Sequence, residues 1–427
     1  VVDYKNLALD PSSPARPQPT ATNRTAAVNS TGDRMANAIS GTTALDAAGP
    51  ETTRLVAPQL PLSKRLKYTI IAFLWTKLLI KPMLYYSELK KYFVSPGEKE
   101  PDLVKRYPIR KSLIVRVFFP PSHSNTNPSK DKLPTLLTIH GGGFVVGEPH
   151  DNDGWNRAFA KRHGFLVIAL DYTKAPAGPF PTALHDIEAL IGCILSDASL
   201  PVDTSRVALA GWSAGGNLTL AASQLPSLRG KIHAAVPLYP FIDMVTSAKT
   251  KARGRRYKPS LGGFRGKDSD FLLMMMGIFD WAYLNPGQRC DDPLVSPVYS
   301  QREDLPKNVF LVGCELDLLA PEAWRLACRL AGKRIPGADE LPGREEVVGK
   351  GELITEGDER FAWEETMEDG SRYKWLLVPD TIHGFDHDNI EGLVNDPVCM
   401  EDAGIKAAKV IDLIGEWLLE GPLRTSS

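Results

Sequence analysis

The sequence predicts an α/β fold: a mostly parallel central sheet with helices on both faces and a helical cap. Three features carry that expectation. From Arg106 onward, short apolar runs bounded by Gly, Pro or polar clusters alternate with longer stretches of helical periodicity. Within the runs the apolar residues are consecutive, as in strands covered on both faces. Finally, Gly211-Trp212-Ser213-Ala214-Gly215 joins one such run, Arg206–Gly211, to the helical pattern Asn217–Ala222. Small residues around Ser213 permit a sharp strand-to-helix turn, which would project its hydroxyl into a cleft.

Residues 1–57 are rich in Ser, Thr, Ala, Pro and Asn and nearly free of aromatics. Such a segment cannot bury enough apolar area to offset its ordering entropy, and it is expected to be disordered. The composition changes over 58–105, a helical segment in which Leu60–Phe93 is strongly apolar and is preceded within its first turns by Lys64, Arg65 and Lys67. Its uninterrupted apolar stretch ends at Lys77, short of the ~20 residues that span a bilayer. Lys77, Lys81 and Glu88 fall near one helical face, so the helix should lie on a surface. That surface is either the rim of the protein's own cleft, as a cap, or a membrane interface contacted peripherally.

Residues 106–427 read as the α/β domain. Strand-like runs are Ser112–Phe119, Pro134–Ile139, Phe165–Leu170, Arg206–Gly211, Ala234–Tyr239, Asn308–Gly313 and Trp375–Val378. Helices are expected at Asn152–His163, Thr182–Ser196, Pro321–Gly332 and Ala403–Leu419. Two insertions break the rhythm. Residues 242–290 carry a basic run, Lys249–Lys258, and an apolar helix, Asp268–Leu284; residues 335–372 are charged and Gly-rich, with a hairpin signal at Asp369-Gly370.

Composition narrows the function. The 427 residues have a net charge of −1 with dispersed basic residues, which gives no nucleic-acid signature. Five cysteines, at 193, 290, 314, 328 and 399, show neither disulfide-framework nor zinc spacing, and no metal is expected. The chain opens Val-Val-Asp without a secretory pattern, so an intracellular, cytoplasmic location is expected, with endomembrane association as the alternative.

A serine hydroxyl needs a base within hydrogen-bond reach and an acid to orient that base. Ligands and catalytic groups of open α/β sheets gather at the carboxyl ends of the strands. Asp317 follows the run ending at Gly313, and His383-Gly384-Phe385 follows the last run. Glu315 is expected to face away or to support the acid loop, and His163, His185, His233 and His387 have weaker claims. His140-Gly141-Gly142-Gly143 ends another run. Glycines there leave N–H groups unshielded, and Gly141, Gly142 and Ala214 are expected to hold an oxyanion, with His140, Gly143 and Trp212 in support. A phosphate-binding Gly loop is the competing reading, weakened because no lysine follows.

These motifs, in this order, resemble the hormone-sensitive-lipase-like branch of the α/β-hydrolase family, which includes bacterial esterases and arylacetamide deacetylases. His140–Phe144 resembles its HGGGF motif, Asp171–Pro176 with Phe180-Pro181 its DYRLAPE…FP stretch, and Gly211–Gly216 its GDSAGG motif. Trp212 stands where the family has aspartate, Ala177 where it has glutamate, and the acid-to-histidine interval is longer. The resemblance implies a cap built from N-terminal helices and the insertion after the sixth strand. It also implies a cofactor-free serine carboxylester hydrolase with Ser213 as nucleophile, His383 as base and Asp317 as acid. The partner would be a hydrophobic small-molecule ester. An amidase, lactonase, acyltransferase or non-hydrolytic biosynthetic enzyme using the same site is the alternative, and a ligand receptor on an esterase scaffold is a third.

Overall fold

The computed structural model describes residues 53–75, 97–123, 131–387 and 396–424, together with positions 78 and 82. Nearly all of the segment expected to be disordered, and the second half of Leu60–Phe93 apart from positions 78 and 82, lies outside these residues. The last five residues of the former, 53–57, pair with the first insertion: Thr53 bridges Thr246 and Val56 bridges Arg289.

Among the described residues there are nine strands: β1 (Leu103–Lys105), β2 (Val115–Phe118), β3 (Leu133–Ile139), β4 (Leu166–Leu170), β5 (Val202–Trp212), β6 (Ala234–Leu238), β7 (Asn308–Cys314), β8 (Ala362–Thr366) and β9 (Arg372–Val378), all but β1 and β8 on the apolar runs read from the sequence. Their order is β1-β2-β4-β3-β5-β6-β7-β9-β8. The six strands from β4 to β9 run parallel, whereas β1 and β2 at one edge and β8 at the other are antiparallel to their neighbours. β8 comes from the charged insertion, and Met367–Ser371 turn it back onto β9, as the Asp369-Gly370 signal predicts.

Successive residues of a strand point to opposite faces, so each central strand feeds two cores. Val207 and Leu209 of β5 join one apolar cluster, and Ala208, Ala210 and Trp212 join another. The first cluster includes residues of α3 (Thr182–Leu195) and α4 (Ala214–Ser223); the second includes residues of α2 (Asp153–His163) and α8 (Pro397–Glu420). A third, against the β7–β9 edge, is built on α7 (Ala320–Leu330). Helix α8 starts six residues earlier than expected because Asp396 caps it, accepting from the N–H groups of Val398 and Cys399, with Pro397 at the first helical position.

Three more helices belong to the cap. Helix α1 (Leu62–Leu74) precedes the sheet, and the first insertion supplies α5 (Ala248–Arg253) and α6 (Phe271–Tyr283). Tyr68 of α1 packs against Trp281 of α6 at 5.9 Å between ring centroids, and Trp75, just past α1, stacks near Phe279 at 6.5 Å.

Candidate active site

Parallel pairing aligns the carboxyl ends of β3, β5, β7 and β9 on one edge, with Ile139 opposite Gly211 and Cys314 opposite Val378. The elbow, the Gly-rich loop, the acid loop and the histidine loop all leave from that edge. At the elbow Ser213 has φ 53° and ψ −115°, a strained conformation for a residue with a side chain. Helix α4 starts at the next residue and crosses close under β3; a Cβ on Gly215 would collide with the carbonyl oxygen of Ile139.

The strain aims the serine. His383 Nε2 lies 2.9 Å from Ser213 Oγ, and His383 Nδ1 lies 2.7 Å from Asp317 Oδ2. The N–H of Leu319 donates to the other Asp317 oxygen at 3.0 Å and fixes the carboxylate plane. All three side chains are buried. Burial alone would lower the His383 pKa, but the adjacent, hydrogen-bonded Asp317 carboxylate outweighs it and holds the pKa above the ordinary imidazole value.

The Gly-rich loop lies against the elbow, the Cβ position of Gly141 being 3.4 Å from Ser213 Cβ. The Tyr172 hydroxyl donates to the Gly141 carbonyl at 3.2 Å, and the N–H groups of Val145 and Val146 donate to the Gly142 carbonyl at 3.1 and 3.0 Å. A trans peptide points its N–H opposite its C=O. The two peptides so anchored are those that carry the N–H groups of Gly142 and Gly143. They lie one residue along from Gly141 and Gly142, whose N–H groups are expected from the sequence to hold an oxyanion. His140 braces the loop, with Nδ1 2.7 Å from the Gly141 oxygen and its ring stacked on Tyr172 at 4.3 Å. Burial and the Lys174 charge lower its pKa against the opposing pull of Asp171, which suits a neutral structural ring.

Above Ser213 the cap leaves a cavity of about 10 Å³, lined by Gly143, Ser213, Phe241, Leu272, Met276, Phe279 and Leu319. Of the apolar residues in the helix expected at Asp268–Leu284, Leu272, Met276 and Phe279 close the site, Met274 is 79% exposed, and Trp281 packs on α1. The side chain of Phe271 lies outside the described ones. A larger recess of about 380 Å³ lies apart from Ser213, between α1 and α6.

The family model for the alpha/beta hydrolase fold matches residues 136–337, which span the Gly-rich loop, the elbow and the acid loop. An arylesterase from Saccharolobus solfataricus is 28% identical over 229 residues, 52% of this chain and 68% of that protein. Carboxylesterase NlhH of Mycobacterium tuberculosis is 37% identical over 112 residues, 26% of this chain and a third (33%) of that protein. An ethyl acetate hydrolase from Pseudomonas putida is 34% identical over 44% of this chain and 55% of its own length. In three dimensions, an esterase from Pyrobaculum calidifontis superposes with a TM-score of 0.55 at 20% identity, covering 85% of this chain and 99% of its own. The chain has the α/β-hydrolase fold, and its matched segment is similar to esterases of the hormone-sensitive-lipase-like branch.

In this α/β-hydrolase the residue before the nucleophile faces the side of the sheet opposite α4. Trp212 is buried there, edge-on to Trp155 at 5.1 Å, and its Nε1–H donates to Asp386 Oδ2 at 3.0 Å. The Tyr239 hydroxyl donates to the other Asp386 oxygen at 2.5 Å, and the Tyr239 ring meets His383 edge-on at 4.8 Å. Asp386 therefore ties the elbow, β6 and the histidine loop together. Burial raises its pKa, and the Tyr239 and Trp212 hydrogen bonds oppose that rise. Sequence reasoning missed Asp386 and Tyr239; the one available signal was an acid three residues after His383. The four histidines with weaker claims stand elsewhere: His163 near Asp412, His185 near Glu188, His233 accepting the Val207 N–H, and His387 near Asp151. Glu315 supports rather than competes, bonded to Lys258 and to the N–H groups of Arg344 and Asp380.

Proposed function

We propose that this α/β-hydrolase is a serine carboxylester hydrolase, working through an acyl-enzyme on Ser213. The observation that carries the reading is the continuous hydrogen-bonded chain Ser213–His383–Asp317 at the carboxyl edge of the sheet. Ser213 Oγ attacks the acyl carbonyl as His383 Nε2 takes its proton, and His383 then passes that proton to the departing alcohol. Asp317 holds the imidazole tautomer and stabilises the imidazolium. The N–H groups of Gly142, Gly143 and Ala214, the last at a helix N-terminus, receive the oxyanion, a donor type worth about 3 kcal/mol of barrier each. Water repeats the cycle on the acyl-enzyme.

The substrate is a hydrophobic small-molecule ester with a short acyl chain. The cavity beside Ser213 is apolar and holds about one water-sized group, so an acetyl methyl fits where a longer chain would meet Phe279. The ethyl acetate hydrolase among the relatives supports a short acyl group. Turnover of p-nitrophenyl acetate tests the reading. Ser213→Ala and His383→Ala should each abolish nearly all of it, and the double variant should cost little more, because the residues act as a unit. Undiminished turnover by Ser213→Ala would refute the assignment.

The outer face of α1 is read as resting on an anionic lipid surface. Leu62, Leu66, Ile70, Phe73 and Leu74 share that face at 45–78% exposure. Lys64 and Lys67 flank the stripe on one side and Arg65 on the other, as in helices that lie in a membrane interface. Among the described residues no helix is long and apolar enough to cross a membrane.

A further inference from the structure

Lys258 ends the basic run Lys249–Lys258, yet its side chain is completely buried. Its Nζ lies 2.7 Å from Glu315 Oε2 and 2.6 Å from Asp380 Oδ1, with no exposure on the lysine or on Glu315. Glu315 stands two residues before Asp317 on the acid loop, and Asp380 three residues before His383 on the histidine loop. Both loops that carry the base–acid pair thus end on one ammonium group, delivered by the cap insertion.

The surroundings show a site built around that ammonium. Glu315 Oε2 also accepts the Asp380 N–H at 2.8 Å, holding Asp380 at φ 59°, a conformation seldom adopted outside glycine. The Leu316 N–H donates to the Thr381 carbonyl at 2.9 Å, a second link between the loops. The charged insertion supplies the remaining donors: Arg344 N–H to Glu315 Oε1, and the N–H groups of Val348 and Gly349 to Asp380 Oδ2. Behind Asp380, Lys406 lies 3.9 Å from Asp380 Oδ2 and 2.9 Å from Asp402, and Arg265 lies 3.6 Å from Asp402. Lys258, Lys406 and Arg265 balance Glu315, Asp380 and Asp402 charge for charge. A buried network that is paired and hydrogen-bonded on every side holds one geometry.

We infer that Lys258 is a positioning residue: it sets the separation of the acid and histidine loops, and so the Asp317–His383 contact, without touching substrate. The inference rests on the reading of Ser213, His383 and Asp317 as the catalytic unit. Lys258 does its work through geometry, so its loss lowers kcat and leaves KM nearly unchanged.

The test uses the full chain and p-nitrophenyl acetate. Lys258→Met strands two buried carboxylates and risks misfolding, so the decisive variant is Lys258→Met/Glu315→Gln. It removes one charge of each sign and leaves the network neutral. Folded by circular dichroism, it should lose kcat by about 10²-fold, as small misplacements of catalytic groups do, with KM within about twofold of the parent. Its downfield His383 Nδ1 proton resonance, a direct report on the bond to Asp317, should shift or broaden. Lys258→Arg, which keeps the cation, should recover most of the turnover and the resonance. A folded double variant with parental kcat and an unmoved resonance would overturn the inference, as would a Lys258→Arg variant no better than the double one. Failure of the underlying reading looks different: parental protein without ester turnover, or a fully active Ser213→Ala.

Discussion

At the scale of single residues, His383 carries the clearest chemical consequence. The imidazole must be neutral to accept the Ser213 proton, and Asp317 holds its pKa above the ordinary value despite burial. Turnover of a short-chain ester should therefore rise with pH through an apparent pKa above ~6.5, the unperturbed imidazole value. Asp317→Asn removes the main charge that raises it, leaving burial opposed only by the smaller pull of Asp270 and Asp386. Its pH–kcat/KM profile should shift toward acid while kcat falls by about 10⁴-fold. A parental midpoint below the unperturbed value, or one unmoved by Asp317→Asn, would contradict this account of the base.

At the scale of elements, the short helix α6 decides access. Asp270 caps it, accepting from the Leu272 N–H at 2.8 Å, and its Leu272, Met276 and Phe279 close over Ser213. Phe279 sits so near the Gly-rich loop that a Cβ on Gly143 would collide with its ring. Truncation to Phe279→Ala should open room on the acyl side without disturbing the triad. The kcat/KM ratio of p-nitrophenyl butyrate to acetate should rise by about 10-fold, the scale of one or two methylenes in an apolar pocket. An unchanged ratio in a folded variant would place the acyl group elsewhere.

For the molecule as a whole, α1 joins two roles that look exclusive in the sequence. Its inner face, with Tyr68 and Ala72, packs toward α6 as part of the cap, and its outer apolar face is exposed between basic residues. The protein should sediment with vesicles of phosphatidylserine and phosphatidylcholine, less so as salt rises. Leu66→Asp/Phe73→Asp should abolish sedimentation and leave turnover of a soluble ester unchanged, since neither residue lines the cavity over Ser213. Absence of sedimentation, or a concentration-dependent dimer that the double variant dissolves, would assign the face to something other than lipid.

The sequence by itself determined seven of the nine described strands, the elbow and the order of the Ser213, Asp317 and His383 loops. Those signals are local: apolar runs bounded by turn residues, and Gly, Ser and His at strand ends. The helices at 152–163, 182–196 and 321–332 were legible for the same reason, as each has its own periodicity. Only the tertiary structure decided how distant residues meet. Trp212 and Asp386 are 174 positions apart and Lys258 and Asp380 are 122 apart, and no local pattern links them. Which amides of the Gly-rich loop are held in place was not legible either, because a peptide's orientation depends on what its carbonyl binds, here Tyr172 and the Val145–Val146 amides. The basic run was equally opaque: a lysine reads as surface until the fold brings two carboxylates to it, and burying its charge is tolerable only with both in place.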